Sequence, residues 1–462
     1  MTLKIQLGSV YNINDYDELI RMFIPRGSYE LVYEKVSEFE GIPEKLKKAR
    51  NLYAFLSNET GKKLPWGVLT GVKPTKLYAQ LCSNNCESMK NGLSTHTFVK
   101  KILKNEYLVS DEKIGLLKQI YDREILTLQE LDYGKPCGLY AGEAVAVYIG
   151  IPFCPSRCEY CTFVSGVGDD RQMKEYLDAL NMEISYVSRS MKERKMNAES
   201  VYIGGGTPTS LPVSMLNELL MNIRESFVSE NTEFTVEAGR PDSITFEKAV
   251  IISKAGAKRI SVNPQSMNDR TLQIIKRAHK ATDIYNAFEN TKAAGIQIIN
   301  SDIIAGLPGE AASDFLYSLE KILNLKPENI TIHTLALKKG AQLREKDPMY
   351  SYNRIGVAED MLKTAVTQLT SADMQPYYLY RQKQTVDNLE NTGYTIPGAE
   401  CVYNMRMMQE KQSVIALGAG AVSRIYYPNE DRVERVFNIA DTILYIKRID
   451  EMLERKRRVF KI

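Results

Sequence analysis

Cys154, Cys158 and Cys161 stand at x3 and x2 spacing on a short loop, Pro152-Phe153-Cys154-Pro155-Ser156-Arg157-Cys158-Glu159-Tyr160-Cys161, directly after an apolar run. Thiolates so spaced can point at one centre, as they do around iron–sulfur clusters. Three thiolates on a 4Fe-4S cluster leave its fourth iron free. A free iron can hold a second ligand and pass it an electron. A structural zinc site would need four closed ligands, and no His or further Cys stands nearby to complete one. The three cysteines are therefore the candidate metal ligands and the centre of the chemistry.

The elements that must position this loop follow from periodicity. Apolar, β-branched segments at 145–151, 201–204, 234–237, 259–263, 297–304 and 330–336 are separated by helical patterns. Six successive βα units predict an α/β fold with a parallel sheet, curved or closed, and helices outside. In such barrels functional groups collect at the C-terminal ends of the strands. The first segment ends in the cysteine loop. The second ends in Gly204-Gly205-Gly206-Thr207-Pro208-Thr209, where missing side chains let backbone N–H groups approach a ligand. Glu237 ends the third, Gln265 follows the fourth, and Arg277 lies twelve residues further on the next helix. Asp302 sits inside the fifth, and a charge in an apolar strand must be paired or functional.

Composition sets the frame. A chain of 462 residues predicts two or three domains. Hydrophobic content of 44% and charge of 25% are those of a globular protein, and a net charge of +3 offers no nucleic-acid footprint. The N-terminus lacks a signal-peptide core, and the most apolar run, 138–153, is too short to span a membrane and carries Glu143. Seven cysteines with three on the loop suit a reducing cytoplasm. Before the barrel, 2–7 and 29–34 alternate like strands, and helical periodicity from 45 to 135 places Ile114, Leu117, Ile120 and Tyr121 on one face. The only Trp, Trp66, lies in a Gly- and Pro-punctuated stretch read as an ordered loop around a packed indole. Cys82 and Cys86 are one helical turn apart and read as helix-face thiols rather than a metal pair. His96, in a Ser-Thr context, reads as solvated.

The words Tyr148-Ile149-Gly150-Ile151-Pro152-Phe153-Cys154 and Glu159-Tyr160-Cys161 resemble the radical S-adenosylmethionine (SAM) enzymes, and within them the oxygen-independent coproporphyrinogen III oxidase group. Stretches on both sides of the barrel, 65–76, 377–384, 388–394 and 416–424, resemble the HemZ-type branch. The resemblance implies a partial (β/α)6 radical SAM barrel at 143–345, an N-terminal α+β domain at 1–142 and a C-terminal capping domain at 346–462 that meets substrate. It implies a 4Fe-4S cluster on Cys154, Cys158 and Cys161, whose free iron chelates SAM and cleaves it to a deoxyadenosyl radical. SAM contacts carry over to Tyr148, Tyr160, Gly205, Gly206, Thr207, Glu237, Gln265, Arg277, Asp302 and Ala336, with Val422 near a second SAM. Glu237 would accept from ribose hydroxyls or the ammonium, and Arg277 would pair a carboxylate bidentately.

The reaction so implied is oxidative decarboxylation of the two propionates of coproporphyrinogen III to vinyl groups, giving protoporphyrinogen IX, with reduced flavodoxin or a ferredoxin-like protein as electron donor. Gly150 stands where many relatives carry His, and Thr162-Phe163 follows the third cysteine where established oxidases carry Gly-Cys. The latter is closer to haem-chaperone relatives, yet their haem-binding word is missing and the chain holds only three His. A haem-trafficking protein and a radical SAM enzyme acting on another tetrapyrrole are the alternatives. Arg381, Lys383 and Arg424 are either substrate-carboxylate contacts or surface charges.

Overall fold

The computed structural model describes residues 3–8, 16–25, 28–34, 44–71, 73–84, 94–132, 144–162, 166–354 and 356–460. Cys86, Glu143, Phe163 and the expected domain boundary at 142 lie outside the described residues. Strands β1 (Leu3–Gly8) and β2 (Tyr29–Glu34) pair in parallel as a small separate sheet. Helices Glu44–Thr60, Pro74–Asn84, Thr95–Asn105 and Asp111–Asp132 follow, as the 3.6-residue periodicity requires.

Strands β3 (Ala144–Ile151), β4 (Asn197–Gly205), β5 (Glu233–Glu237), β6 (Arg259–Ser261), β7 (Ile298–Ala305) and β8 (Asn329–Thr334) run parallel and side by side in chain order. Their aliphatic side chains, among them Ile149, Ile203, Val236, Ile260, Ile303 and Ile332, are fully buried. A strand buried on both faces needs such a near-continuous apolar run. Amphipathic helices cover the outside: Asp170–Glu193 turns Tyr176, Leu180, Ile184 and Val187 inward, and Ala312–Asn324 does so with Phe315, Leu319 and Ile322.

The chain after residue 345 continues the same sheet on both edges. Strands β9 (Gln375–Arg381) and β10 (Glu390–Thr395) add antiparallel beside β8. Strand β11 (Val414–Leu417) adds parallel to β3, followed by antiparallel β12 (Val422–Tyr427) and β13 (Arg432–Phe437). Both edges of the parallel six are thereby paired. Six of the eleven strands form the (β/α)6 part.

Two buried ionic knots fix the outer segments. Trp66 is fully buried, and its indole N–H donates to Glu390 at 2.8 Å, which also takes the Lys113 ammonium at 2.7 Å. At the other end Lys456, on the last helix Ile449–Val459, is fully buried 3.1 Å from Glu183. Gly418 N–H, the Tyr445 hydroxyl and the Asn438 amide satisfy the remaining Glu183 lone pairs. Arg457 and Arg458 complement the end of that helix dipole, while Lys456 turns inward.

Three sequence expectations meet their contacts here. Cys82 is buried in an apolar cluster with Trp66 and Tyr78. His96, expected solvated, keeps an exposed edge while also meeting the Tyr78 hydroxyl at 2.9 Å and lying 3.5 Å from Asp122. Arg381 is buried over the Trp66 ring and donates to the carbonyls of Leu69 and Asn388. No helix among the described residues is long and apolar enough to cross a membrane.

Candidate active site

The cysteine loop leaves β3 and is anchored on several sides. Cys154 N–H donates to the Gly166 carbonyl at 3.0 Å, and Glu159 N–H to Ile275 at 3.1 Å. The Glu159 carboxylate receives Lys276 at 2.8 Å and Lys346 at 2.6 Å. Those two ammonium groups hold its carboxyl below the usual range.

Cys154, Cys158 and Cys161 line one cavity of about 320 Å³ at the C-terminal ends of the parallel strands. No three His, Cys, Asp or Glu among the described residues are set to grip a single metal ion. The glycine turn after β4 closes tightly against the loop. Gly206 N–H donates to Ile151 at 2.7 Å, and Thr207 N–H to Phe153 at 2.6 Å. A Cβ on Gly206 would stand 2.4 Å from the Phe153 carbonyl oxygen and 3.0 Å from the Cys154 sulfur. Gly205 has φ +106°, a region side chains avoid.

Two carboxylates face this cavity with opposite tuning. Burial raises the Glu237 carboxyl to about 7, opposed by the hydrogen bond from the Tyr202 hydroxyl at 2.6 Å. Burial would raise Asp302 too, but His333 Nε2 at 3.4 Å and the Asn300 amide at 2.8 Å hold it below its ordinary value. Gln265 adopts φ +66° and bridges to Ile303, a strained backbone state of the kind that collects at functional sites. Its side-chain oxygen and that of Asn263 are buried in the cavity wall without hydrogen-bond partners.

Arg277 departs from expectation. Its guanidinium donates to the backbone carbonyls of Gly239 and Asn263, to the Tyr160 hydroxyl at 3.3 Å and toward the Cys158 sulfur at 3.8 Å. The fork expected to clasp a ligand carboxylate is occupied by the protein, and it sets positive charge beside the cluster loop. Gly205, Gly206, Thr207, Tyr160, Glu237, Gln265, Arg277, Asp302 and Ala336 all line the cavity. Tyr148 and Val422 do not. Tyr148 stacks on Tyr202 at 6.4 Å beneath it, and Val422 pairs with Phe437 at the sheet edge. Arg381, Lys383 and Arg424 are also elsewhere, the last two beside Glu18 and Glu410.

The cavity holds residues that sequence reasoning passed over. His333 touches both Asp302 and, 3.2 Å away, the Tyr380 hydroxyl. Its register gave a signal, because Asp302 pairs with Thr331 across β7 and β8, and His333 is the diagonal neighbour. Arg240, Asn263 and Lys338 also line the wall, and nothing in their sequence context marked them.

A barrel of this order with a three-cysteine loop and polar strand ends is the frame of one enzyme class. Residues 148–322 match the Radical SAM superfamily. The chain is 35% identical over 422 residues to the oxygen-independent coproporphyrinogen-III oxidase-like protein HemZ of Bacillus subtilis, spanning 89% of this chain and 81% of that one. The heme chaperone HemW of the same organism is 34% identical over 195 residues, 42% of this chain and 51% of the chaperone. Coproporphyrinogen III oxidase HemN from Escherichia coli shares the fold with a TM-score of 0.54 at 21% identity, over 71% of this chain and 78% of HemN. The chain belongs to the HemZ-type, coproporphyrinogen-III oxidase-like family of radical SAM proteins, a family of haem metabolism.

That superfamily uses a 4Fe-4S cluster and SAM, and the cavity fits both. Three thiols share its wall, orphaned acceptors on Asn263 and Gln265 await a donor, and the glycine turn lets the cysteine loop pack where a side chain would strike it.

Proposed function

We propose that the chain catalyses oxidative decarboxylation of the propionates of coproporphyrinogen III to vinyl groups, each losing a hydrogen atom, carbon dioxide and one electron that passes to a one-electron acceptor, in anaerobic haem biosynthesis. The observation that carries this reading is the meeting of the cysteine loop with Glu237, Gln265 and Asp302 around one cavity, in a chain matched along most of its length by an oxidase-like relative. The cluster and SAM, when bound, supply an alkyl radical able to take a hydrogen atom from an unactivated carbon.

The chain's own residues bind and orient. Cys154, Cys158 and Cys161 would hold the cluster. Glu237 and Asp302 offer negative charge to the cationic parts of SAM, and the Gln265 and Asn263 oxygens accept from its donors. The glycine turn, its N–H groups bonded to Ile151 and Phe153, holds the cysteine loop in place, and Arg277 steadies Tyr160 and the loop. Thr207, 3.5 Å from the Cys154 sulfur, fixes that side chain. A domain division near residues 142 and 345 belongs to this reading. So do a reduced flavodoxin or ferredoxin-like donor and a cytoplasmic setting.

The chaperone relatives support a second reading, haem binding and transfer. All three histidines are nevertheless engaged or enclosed: His96 by Tyr78, His333 by Asp302, and His279 by burial. An axial ligand to haem iron would have to come from another residue type or from rearrangement.

The test incubates the reconstituted, reduced protein with SAM and coproporphyrinogen III under strict anaerobiosis and separates products by mass. Deoxyadenosine with products lacking one and two carbon dioxides establishes the oxidase. Deoxyadenosine without decarboxylation keeps the radical enzyme and removes this substrate. Stoichiometric haem binding with neither product favours trafficking.

A further inference from the structure

Four cations line the cluster cavity: Arg157, Arg240, Arg277 and Lys338. Three are committed to protein acceptors. Arg240 forks onto Asp242 and reaches Ser156. Arg277 is bound by the Gly239 and Asn263 carbonyls, and Arg157 donates to the Gly340 carbonyl at 3.2 Å. The ammonium of Lys338 has no hydrogen-bond or ion-pair partner among the described residues.

Its backbone, by contrast, is held firmly. Ala336 bridges Thr385, and Leu337 N–H donates to the Gln384 carbonyl at 3.0 Å. The Arg344 guanidinium ties the Leu337 carbonyl at 3.2 Å to the Gln384 side chain at 2.6 Å. Ala341 N–H caps the Lys338 carbonyl at 3.2 Å. A fixed platform therefore presents a flexible cation. Partial burial lowers the pKa of this amine, opposed by the nearby Cys161 sulfur.

Among the described residues no carboxylate pairs with Lys338. The two carboxylates of the cavity are taken, Glu237 by Tyr202 and Asp302 by His333. Lys338 keeps an exposed side at the cavity wall, so its ammonium is open to a charged acceptor brought by a ligand. A free cation in the cluster cavity suits an anionic ligand, and the tetrapyrrole of the proposed reaction carries carboxylates on flexible arms.

We propose that Lys338 binds a carboxylate of the tetrapyrrole substrate and so holds one propionate arm at the cavity mouth beside the cluster loop. This rests on the tetrapyrrole reading above. Lys338 would be a substrate-positioning residue, with no part in binding the cluster.

The experiment titrates coproporphyrin III, the stable oxidised tetracarboxylate, into the reconstituted full-length protein and follows porphyrin fluorescence. Lys338→Gln should weaken binding about tenfold or more, the worth of one charge-assisted hydrogen bond. Lys338→Arg should keep affinity within about threefold, since it retains the charge. SAM affinity, measured separately, and cluster absorption should not change in either variant. Porphyrin affinity unaltered in Lys338→Gln would overturn the inference while leaving the tetrapyrrole reading intact. Loss of SAM affinity equal to the loss of porphyrin affinity would assign Lys338 to the carboxylate of SAM instead. Failure of the unaltered protein to bind porphyrin would remove both.

Discussion

The Lys113 ammonium lies 2.7 Å from the Glu390 carboxylate with both side chains buried, joining an N-terminal helix to β10 across 277 residues of chain. Burial alone would lower Lys113 and raise Glu390, but each charge reverses the other's shift. Breaking such a pair strands the remaining charge. Glu390→Ala should destabilise by about 3–5 kcal/mol, and the Trp66 indole loses its acceptor as well. Denaturant unfolding measures the loss. Limited proteolysis should then cut the N-terminal helices before the barrel, and an unchanged cleavage pattern would show that this knot does not hold them.

The second knot allows a sharper comparison. Lys456→Met leaves Glu183 enclosed by neutral donors only, and the same order of loss, about 3–5 kcal/mol, is expected. Adding Glu183→Gln removes the stranded charge and should recover part of that stability. Thermal unfolding of the single and double variants separates lost packing from lost charge pairing: no recovery in the double variant would argue that the lysine stem matters more than its charge.

Cluster ligation is tested at Cys158. After anaerobic reconstitution, Cys158→Ala should reduce visible cluster absorption and bound iron per chain to near background, while Cys82→Ala keeps both. Full absorption in Cys158→Ala would end the three-thiolate assignment.

Gly206→Ala probes the same site through shape. Its new Cβ would press on the Phe153 carbonyl at 2.4 Å and on the Cys154 sulfur at 3.0 Å, and backbone cannot yield as a side-chain tip can. The variant should fold, with circular dichroism unchanged, yet load less cluster and bind SAM more weakly. Unaltered iron content would show that the turn has slack.

The six barrel strands were legible because each combines β-branched residues with helical spacers, and their polar ends stood out against apolar runs. Glu237 and Asp302 were visible as charges where none belongs. Strand β10 was not legible. Its sequence, Glu-Asn-Thr-Gly-Tyr-Thr, reads as a loop, yet every residue is buried. Its polar groups are satisfied inside the sheet, as when Asn391 accepts from Thr334 N–H at 2.9 Å. Gly393 leaves room for the Tyr378 ring, which a side chain there would strike. Local composition cannot report partners supplied by distant strands. Tyr148 and Val422 were inferred from resemblance alone, and the described cavity includes neither.

Glu237 makes the site sensitive to pH. Its carboxyl titrates near 7, above the ordinary 4.5, because burial penalises the anion. The folded protein therefore holds a proton that the unfolded chain has released between about pH 4.5 and 7, and this group's contribution to stability falls as pH rises through that window. Ligand binding runs the other way. SAM is cationic at its sulfonium and favours the Glu237 anion, so binding below pH 7 must first expel the proton. The dissociation constant should loosen by up to about tenfold per unit as pH falls below 7 and level off above it. Glu237→Gln carries no titrating proton, so its affinity should be weaker at pH 7.5 and nearly flat between pH 5.5 and 7.5. Calorimetric titration of SAM across that range decides the matter: parallel pH profiles for the two proteins would place the titrating group elsewhere, with Asp302 excluded by its depressed value.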